Sequence, residues 1–142
     1  MLHRRRLLAG LCAGAIALVG PATANAALRM FQSPSGNIDC IMDGGASVRC
    51  DIQSRSWKPP KKPKSCPVDW GQGLGVDATK RGYIVCAGDT ALAPPDAPYP
   101  TLAYGKKITV GRITCTSAVA GITCRNRQGH GFFLSRQRYR LF

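Results

Sequence analysis

The residues of this chain with the most evident chemistry are its cysteines. Six of the seven lie in residues 27–142, and four of these occur in two similar segments, 36–52 and 111–126. Each segment has a Gly-x-Ile-x-Cys pattern, a turn of small residues and an apolar-x-Cys pattern, which is typical of two strands that fold back on each other. The spacing predicts one hairpin disulfide in each segment and a third between the remaining cysteines. The predicted pairs are Cys40–Cys50, Cys115–Cys124 and Cys66–Cys86.

A zinc site is the alternative use of these cysteines. The sequence contains no Cys-x-x-Cys motif, and residues 27–142 contain one histidine, His130. Structural zinc sites draw on closely spaced cysteine and histidine ligands. The sequence therefore favours disulfides, and it predicts no metal and no cofactor.

His130 is also the main candidate for catalysis. A hydrolase that pairs an acid with a histidine needs a carboxylate within hydrogen-bond reach of the imidazole, and Asp89 or Asp51 could supply it. However, His130 lies between two glycines, a position more typical of a turn residue than of a general base. Residues 27–142 also lack a free cysteine once the disulfides form, and they have no strand–turn–helix motif for a nucleophile. The sequence favours a non-catalytic protein, and a small secreted hydrolase using His130 with Asp89 is the alternative.

An alternating pattern of arginines near the end of the chain predicts a binding surface. Arg136, Arg138 and Arg140 recur at every second residue, so a straight strand would place all three on one face. Guanidinium groups suit carboxylate and phosphate oxygens. We therefore predict a cationic row that binds an anionic ligand, with protection of an edge strand against aggregation as the alternative role. The other predicted ligand contacts are Arg125, Arg127, Trp57, Lys61 and Lys62.

A loop rich in lysine and proline, Ser54–Pro67, contains three of those contacts. Its four prolines exclude a helix or a central strand and indicate an extended segment that faces solvent. Trp57 beside Lys61 and Lys62 could form an aromatic and cationic contact surface. In the alternative interpretation, Trp57 covers the core and the lysines are merely solvated.

The overall charge favours an anionic partner. Residues 27–142 carry 17 lysines and arginines against seven aspartates, which leaves a net charge of +10. Such a charge favours binding to an anionic polymer or an acidic protein. A role as an interaction or inhibitor protein for another exported protein is a further alternative. The sequence indicates no specific nucleic-acid binding, and we expect a monomer.

The first 26 residues have the pattern of a secretory signal peptide. Three arginines at 4–6 precede an apolar stretch, Leu7–Val19, which is too short to span a bilayer. Ala24-Asn25-Ala26 has the small-x-small pattern of a cleavage site. We therefore expect residues 1–26 to be removed, leaving no transmembrane segment, and the protein to be secreted or to lie in the periplasm or cell envelope. Paired cysteines fit such an oxidising compartment.

The elements that must position these residues are short strands. Residues 27–142 show no sustained helical periodicity, and short runs of alternating apolar residues are separated by glycine and proline. The pattern predicts a single all-β domain over 27–142 with long loops rich in proline and glycine. Its architecture would be a small, disulfide-stabilised antiparallel sandwich or an open barrel.

Several spaced motifs resemble a family of small secreted bacterial domains of unknown function, DUF6636. The match extends over nearly all of residues 27–142, and the resemblance implies export, paired cysteines and a single domain. It implies no activity and no catalytic residues. The motifs that carry it are Phe31-x-Ser-Pro-Ser-Gly-Asn-Ile-x-Cys40, Val48-Arg-Cys50-Asp-Ile52, Cys86-Ala-Gly-Asp-Thr90 and Gly129-His-Gly-Phe132-x-Leu-Ser-Arg136.

Overall fold

The structure, a computed structural model, describes residues 27–142, so the predicted signal peptide lies outside the described residues. Within that range the chain forms ten β-strands and no helix, and hence no helix that could cross a membrane. The strands are β1 (Arg29–Gln32), β2 (Ile38–Asp43), β3 (Ser47–Ile52), β4 (Trp70–Asp77), β5 (Tyr83–Cys86), β6 (Lys107–Val110), β7 (Ile113–Ala118), β8 (Gly121–Asn126), β9 (Gly131–Leu134) and β10 (Tyr139–Leu141).

The strands form two antiparallel sheets of five strands each. The N-terminal sheet has the order β1-β2-β3-β4-β5, and the C-terminal sheet has the order β6-β7-β8-β9-β10. Neither sheet closes on itself, and the inner faces of both contribute to one hydrophobic core. The prediction of an all-β fold is confirmed, and of the two predicted architectures the sandwich is the observed one.

The two sheets repeat the same register across all five strands. The inward row of the N-terminal sheet is Phe31, Cys40, Cys50, Leu74 and Ile84. The corresponding row of the C-terminal sheet is Ile108, Cys115, Cys124, Phe132 and Leu141. The hairpin pattern seen in the sequence therefore belongs to a larger repeat, in which each half of the domain is one five-stranded meander.

Glycines at matching positions support this repeat. Gly73 on β4 directly precedes Leu74, and Gly131 on β9 directly precedes Phe132, the residues that these strands contribute to the two inward rows. A Cβ at Gly73 would run into the carbonyl oxygen of Cys50, and one at Gly131 would run into that of Cys124. The same close approach of backbones therefore requires glycine in both sheets.

Three disulfides join the pairs that the cysteine spacing predicts. They are Cys40–Cys50, Cys66–Cys86 and Cys115–Cys124. The two hairpin disulfides link directly opposite residues of neighbouring strands and are fully buried. They meet in the middle of the sandwich, where the Sγ atoms of Cys50 and Cys124 lie 3.9 Å apart in van der Waals contact.

The last strand does not run straight through the arginine row. β9 ends at Leu134 and β10 begins at Tyr139, so residues 135–138 form the turn of a hairpin. The buried Ser135 hydroxyl stabilises this turn, because it donates to the Arg138 carbonyl and accepts from the Arg138 N–H. Arg136 therefore lies in the turn, and the prediction of three arginines on one straight strand is wrong.

Candidate functional site

Charge is distributed very unevenly between the two halves of the domain. All seven aspartates lie in residues 39–96, whereas residues 97–142 contain eight lysines and arginines and no acid. All eight side chains are exposed. The printed sequence contains this asymmetry, but a count of net charge over the whole domain conceals it. The eight are Lys106, Lys107, Arg112, Arg125, Arg127, Arg136, Arg138 and Arg140.

The outer face of the C-terminal sheet gathers several of these cations; we call it the basic face. Its first row crosses all five strands, and its second row lies beside the first. The first row is Lys107, Thr116, Thr123, Phe133 and Arg140. The second row is Thr109, Thr114, Arg125 and Gly131, and Gly131 pairs in turn with Phe142 through two backbone hydrogen bonds.

Two phenylalanines hold arginines on the basic face. The guanidinium groups of Arg125 and Arg140 lie 4.6 and 5.3 Å from the centre of the Phe142 ring. That of Arg138 lies 5.4 Å from the centre of the Phe133 ring. Cation–π contacts of this kind restrain a side chain without neutralising its charge. Among the ion pairs of residues 27–142 none involves these arginines, so their charges are available to a ligand.

The basic face contains two shallow grooves, each of about 230 Å³. The first includes Arg127, which extends the cationic surface beyond the strands. Their linings combine guanidinium groups, hydroxyls and two aromatic rings, which together suit oxygen-rich anions. The first is lined by Arg112, Thr114, Thr116, Thr123, Arg125, Asn126 and Arg127, and the second by Phe133, Arg138, Tyr139 and Arg140.

Four predicted contact residues lie elsewhere. Arg136 lines a separate cleft of about 360 Å³ at one end of the sandwich. Trp57 packs on Tyr139, with ring centres 4.6 Å apart, and its indole N–H donates to the Ser135 carbonyl. Trp57 thus helps to cover the core, as the alternative interpretation expected.

Lys61 and Lys62 are the other two, and both are exposed. Their loop is fastened to the N-terminal sheet, because the Trp70 indole N–H donates to the Pro60 carbonyl at 2.9 Å. The structure therefore brings together Arg125, Arg127, Arg138 and Arg140, whereas Lys61 and Lys62 line neither groove.

The N-terminal sheet has a different outer face, where two carboxylates are buried. Asp39 and Asp51 lie directly opposite each other on β2 and β3, and each is about 2 % exposed or less. The segment Ala87–Leu102, which we call the crossing segment, covers them. The Ala91 N–H donates to Asp51 Oδ2 at 2.9 Å, and the Ala93 N–H donates to Asp39 Oδ2 at 2.8 Å.

Only one of these two carboxylates, that of Asp51, forms an ion pair with an arginine. Arg49 donates from Nε and Nη2 to the two oxygens of Asp51, at 2.8 and 2.7 Å, and from Nη1 to Asp89 at 2.6 Å. Burial opposes the charged form of Arg49, but its bonds to Asp51 and Asp89 outweigh that effect and raise its pKa. The hydrogen bond from Arg49 likewise lowers the pKa of Asp89.

Asp39 lacks such a partner. Its Oδ1 is buried, and within residues 27–142 no group donates to it. Burial raises the pKa of Asp39, the Ala93 N–H partly opposes that effect, and the nearby charge of Asp51 adds to the rise. Asp39 and Asp51 together anchor the crossing segment, because the groups that donate hydrogen bonds to them belong to that segment and to Arg49.

The predicted catalytic pair is not assembled. Asp89 bonds to Arg49, while His130 lies in the β8–β9 turn, where its backbone N–H donates to the Asn126 side chain. No hydrogen bond or ion pair joins His130 to a carboxylate within the range that the structure describes. The same range contains no group of three or more histidine, cysteine or acidic residues placed to hold a metal.

Comparison with known proteins gives a family and no activity. A family model described as "Family of unknown function (DUF6636)" matches residues 11–142. No curated protein matches the chain, and no solved structure does. The arrangement of the basic face is therefore the available guide to function.

Proposed function

The chain belongs to the DUF6636 family, whose function is unknown, and for this member we propose non-catalytic binding of an anionic ligand in the cell envelope or the extracellular medium. The basic face is the proposed site. The observation that carries the proposal is that residues 97–142 expose eight cations and contain no acid. No acidic side chain of its own sheet competes with a ligand at this face.

The arrangement has no evident benefit for folding. Arg125 and Arg140 lie over the same ring, that of Phe142, so their like charges repel each other, and no ion pair within residues 27–142 offsets that repulsion. Protection of a sheet edge needs charge on the edge strand, yet Arg125 lies on the central strand β8. Binding of an anion gives all of these charges a common role.

The alternative of a hydrolase needs a different arrangement. His130 and Asp89 would have to come within hydrogen-bond distance of each other, and Asp89 would have to leave Arg49. Binding at the basic face requires no such rearrangement. We therefore do not propose catalysis.

The proposed setting is an oxidising compartment outside the cytoplasm, reached through the predicted signal peptide at 1–26. Three disulfides within one small domain support this setting, because thiols are kept reduced in most cytosols. We also infer a monomer, because the basic face would repel a second copy of itself.

Retention on immobilised heparin at increasing salt tests the proposal. The triple variant Arg125→Gln, Arg138→Gln and Arg140→Gln removes three charges from the basic face. A matched control, Lys58→Gln, Lys62→Gln and Lys64→Gln, removes three charges from the lysine-rich loop. We expect the slope of log affinity against log salt concentration to be shallower by about 3 in the face variant, because each lost ionic contact reduces the steepness of that slope by about 1.

The control is expected to retain the salt dependence of the parent protein. Thermal melting of both variants verifies that they are folded. Equal losses in the two variants would show that net charge, and not the basic face, governs binding. Unchanged binding of the face variant would refute the proposal.

A further inference from the structure

We propose that the ligand is a linear acidic polysaccharide, and that it lies across the strands of the basic face rather than along them. This inference rests on the proposed function and specifies its ligand. Three observations carry it: how the N-terminal sheet is covered, which residues stand at matching positions of the C-terminal sheet, and how far the first row extends.

The N-terminal sheet shows how an extended chain occupies an outer face of this fold. The crossing segment leaves β5 and contacts Asp51 on β3 through Ala91, then Asp39 on β2 through Ala93. It reaches β1 where the Gln32 N–H donates to the Pro100 carbonyl at 2.9 Å. The segment therefore passes over successive strands, and side chains from those strands hold its backbone.

The C-terminal sheet has hydrogen-bond donors at the same two positions, and one of them is cationic. The shared register places Thr114 where the other sheet has Asp39, and Arg125 where it has Asp51. In the N-terminal sheet, acids accept hydrogen bonds from a crossing backbone. In the C-terminal sheet, a hydroxyl and a guanidinium group at those positions can donate to a crossing anion. Arg125 is exposed, so this position remains accessible to a ligand.

The extent of the first row indicates a ligand with several charges. Lys107 on β6 and Arg140 on β10 mark its two ends, and Thr116 and Thr123 lie between them. Four gaps between strands separate the ends, a distance of about 19 Å. A single phosphate or carboxylate can engage one end only. A linear chain with a charge on each unit can engage both ends at once.

The chemistry of the row favours a polysaccharide over single-stranded nucleic acid. Nucleic acids without sequence preference rely on aromatic rings on which bases stack. Guanidinium groups already lie over the rings of Phe133 and Phe142. Between the cations the face offers threonine hydroxyls, which can exchange hydrogen bonds with sugar hydroxyls.

Calorimetric titration with oligogalacturonates, from the disaccharide to the octasaccharide, tests the inference. We expect affinity to rise at least tenfold from the shortest to the longest and to level off once the ligand spans the row. Lys107→Gln combined with Arg140→Gln removes both ends. This variant should weaken the octasaccharide several-fold more than the disaccharide, whereas Lys62→Gln combined with Lys64→Gln should leave both unchanged.

Each outcome distinguishes the inference from the proposed function. Binding without dependence on length would overturn the crosswise linear ligand, while the proposed function stands. Length dependence that survives removal of both row ends would overturn the crosswise placement. Tighter binding of single-stranded DNA than of the octasaccharide would overturn the choice of polysaccharide. No binding by any of these anions would overturn the proposed function as well.

Discussion

Two buried aspartates at opposed positions have unequal roles because their hydrogen-bond partners differ. Asp51 receives four donors, from Arg49 twice, from Thr90 and from Ala91. Asp39 receives one, from Ala93. A buried charge without a partner costs stability, so its removal relieves that cost. Removal of a paired buried charge instead leaves its partner unsatisfied. The two positions should therefore respond in opposite directions to the same substitution.

Asp51→Asn should lower the free energy of unfolding by on the order of 2–3 kcal/mol, because it weakens charged hydrogen bonds to Arg49. Asp39→Asn should cause no such loss. Because the pKa of Asp39 is raised, its contribution to stability is present at acid pH and is lost as pH rises through the folded-state pKa. Relative to the parent, Asp39→Asn should therefore become more stable between about pH 4 and pH 7. Urea unfolding at both pH values measures this, and equal losses in the two variants would contradict it.

Tyr83 provides a prediction at alkaline pH. Its ring lies over Gly75, and its hydroxyl donates to Asp77 Oδ1 at 3.2 Å. Burial, followed by the charge of Asp77, raises the pKa of Tyr83 to about 12 from 10.0. The neutral phenol thus contributes to stability up to about pH 10, and this contribution is lost as pH rises through about 12. The ultraviolet difference titration between the parent and Tyr83→Phe should have its midpoint near 12, and a midpoint near 10 would refute this.

At the scale of elements, the hairpins explain what could be predicted and what could not. Cysteine spacing in β2–β3 and β7–β8 predicts pairing, because opposed residues of a tight hairpin have nearly fixed separations. After Leu134, arginines alternate with other residues, and this pattern predicts a straight strand as readily as the cysteine spacing predicts the hairpins. In the structure, however, Ser135 forms a turn there. The partners of that turn, Ser56 and Trp57, are distant in sequence. The Ser135–Arg138 bonds are local, but the alternating pattern alone does not distinguish this turn from a straight strand.

The hairpin geometry also limits how the cysteines can pair. Although the Sγ atoms of Cys50 and Cys124 are 3.9 Å apart, their strands belong to sheets that pack about 10 Å apart. A disulfide requires Cα atoms within roughly 7 Å. Non-reducing peptide mapping, with thiols blocked before digestion, should therefore recover Cys40–Cys50, Cys66–Cys86 and Cys115–Cys124. A peptide that joins Cys124 to Cys40 or Cys50 would contradict the observed sandwich.

At the scale of the whole molecule, two meanders of one design differ in what covers their outer faces. The crossing segment covers the acids of the N-terminal sheet, whereas the cations of the basic face are exposed. The all-β class follows from the sequence because strand alternation is local. The register repeat does not follow from the sequence, because the sequence similarity between the two halves beyond the cysteine hairpins is too slight to align Leu74 with Phe132. The sequence does not reveal the rows of the basic face for the same reason, because rows across strands depend on pairing between distant segments.

The central claim is that the basic face, and not positive charge in general, binds the anionic ligand. Titration of ¹⁵N-labelled protein with a heparin oligosaccharide, followed by amide chemical shifts, tests it most directly. We expect the largest shifts at Thr116, Thr123, Arg125, Phe133 and Arg140, with the Lys58–Lys64 amides nearly unchanged. Shifts concentrated in the Lys58–Lys64 loop, or spread evenly over all exposed cations, would contradict the account.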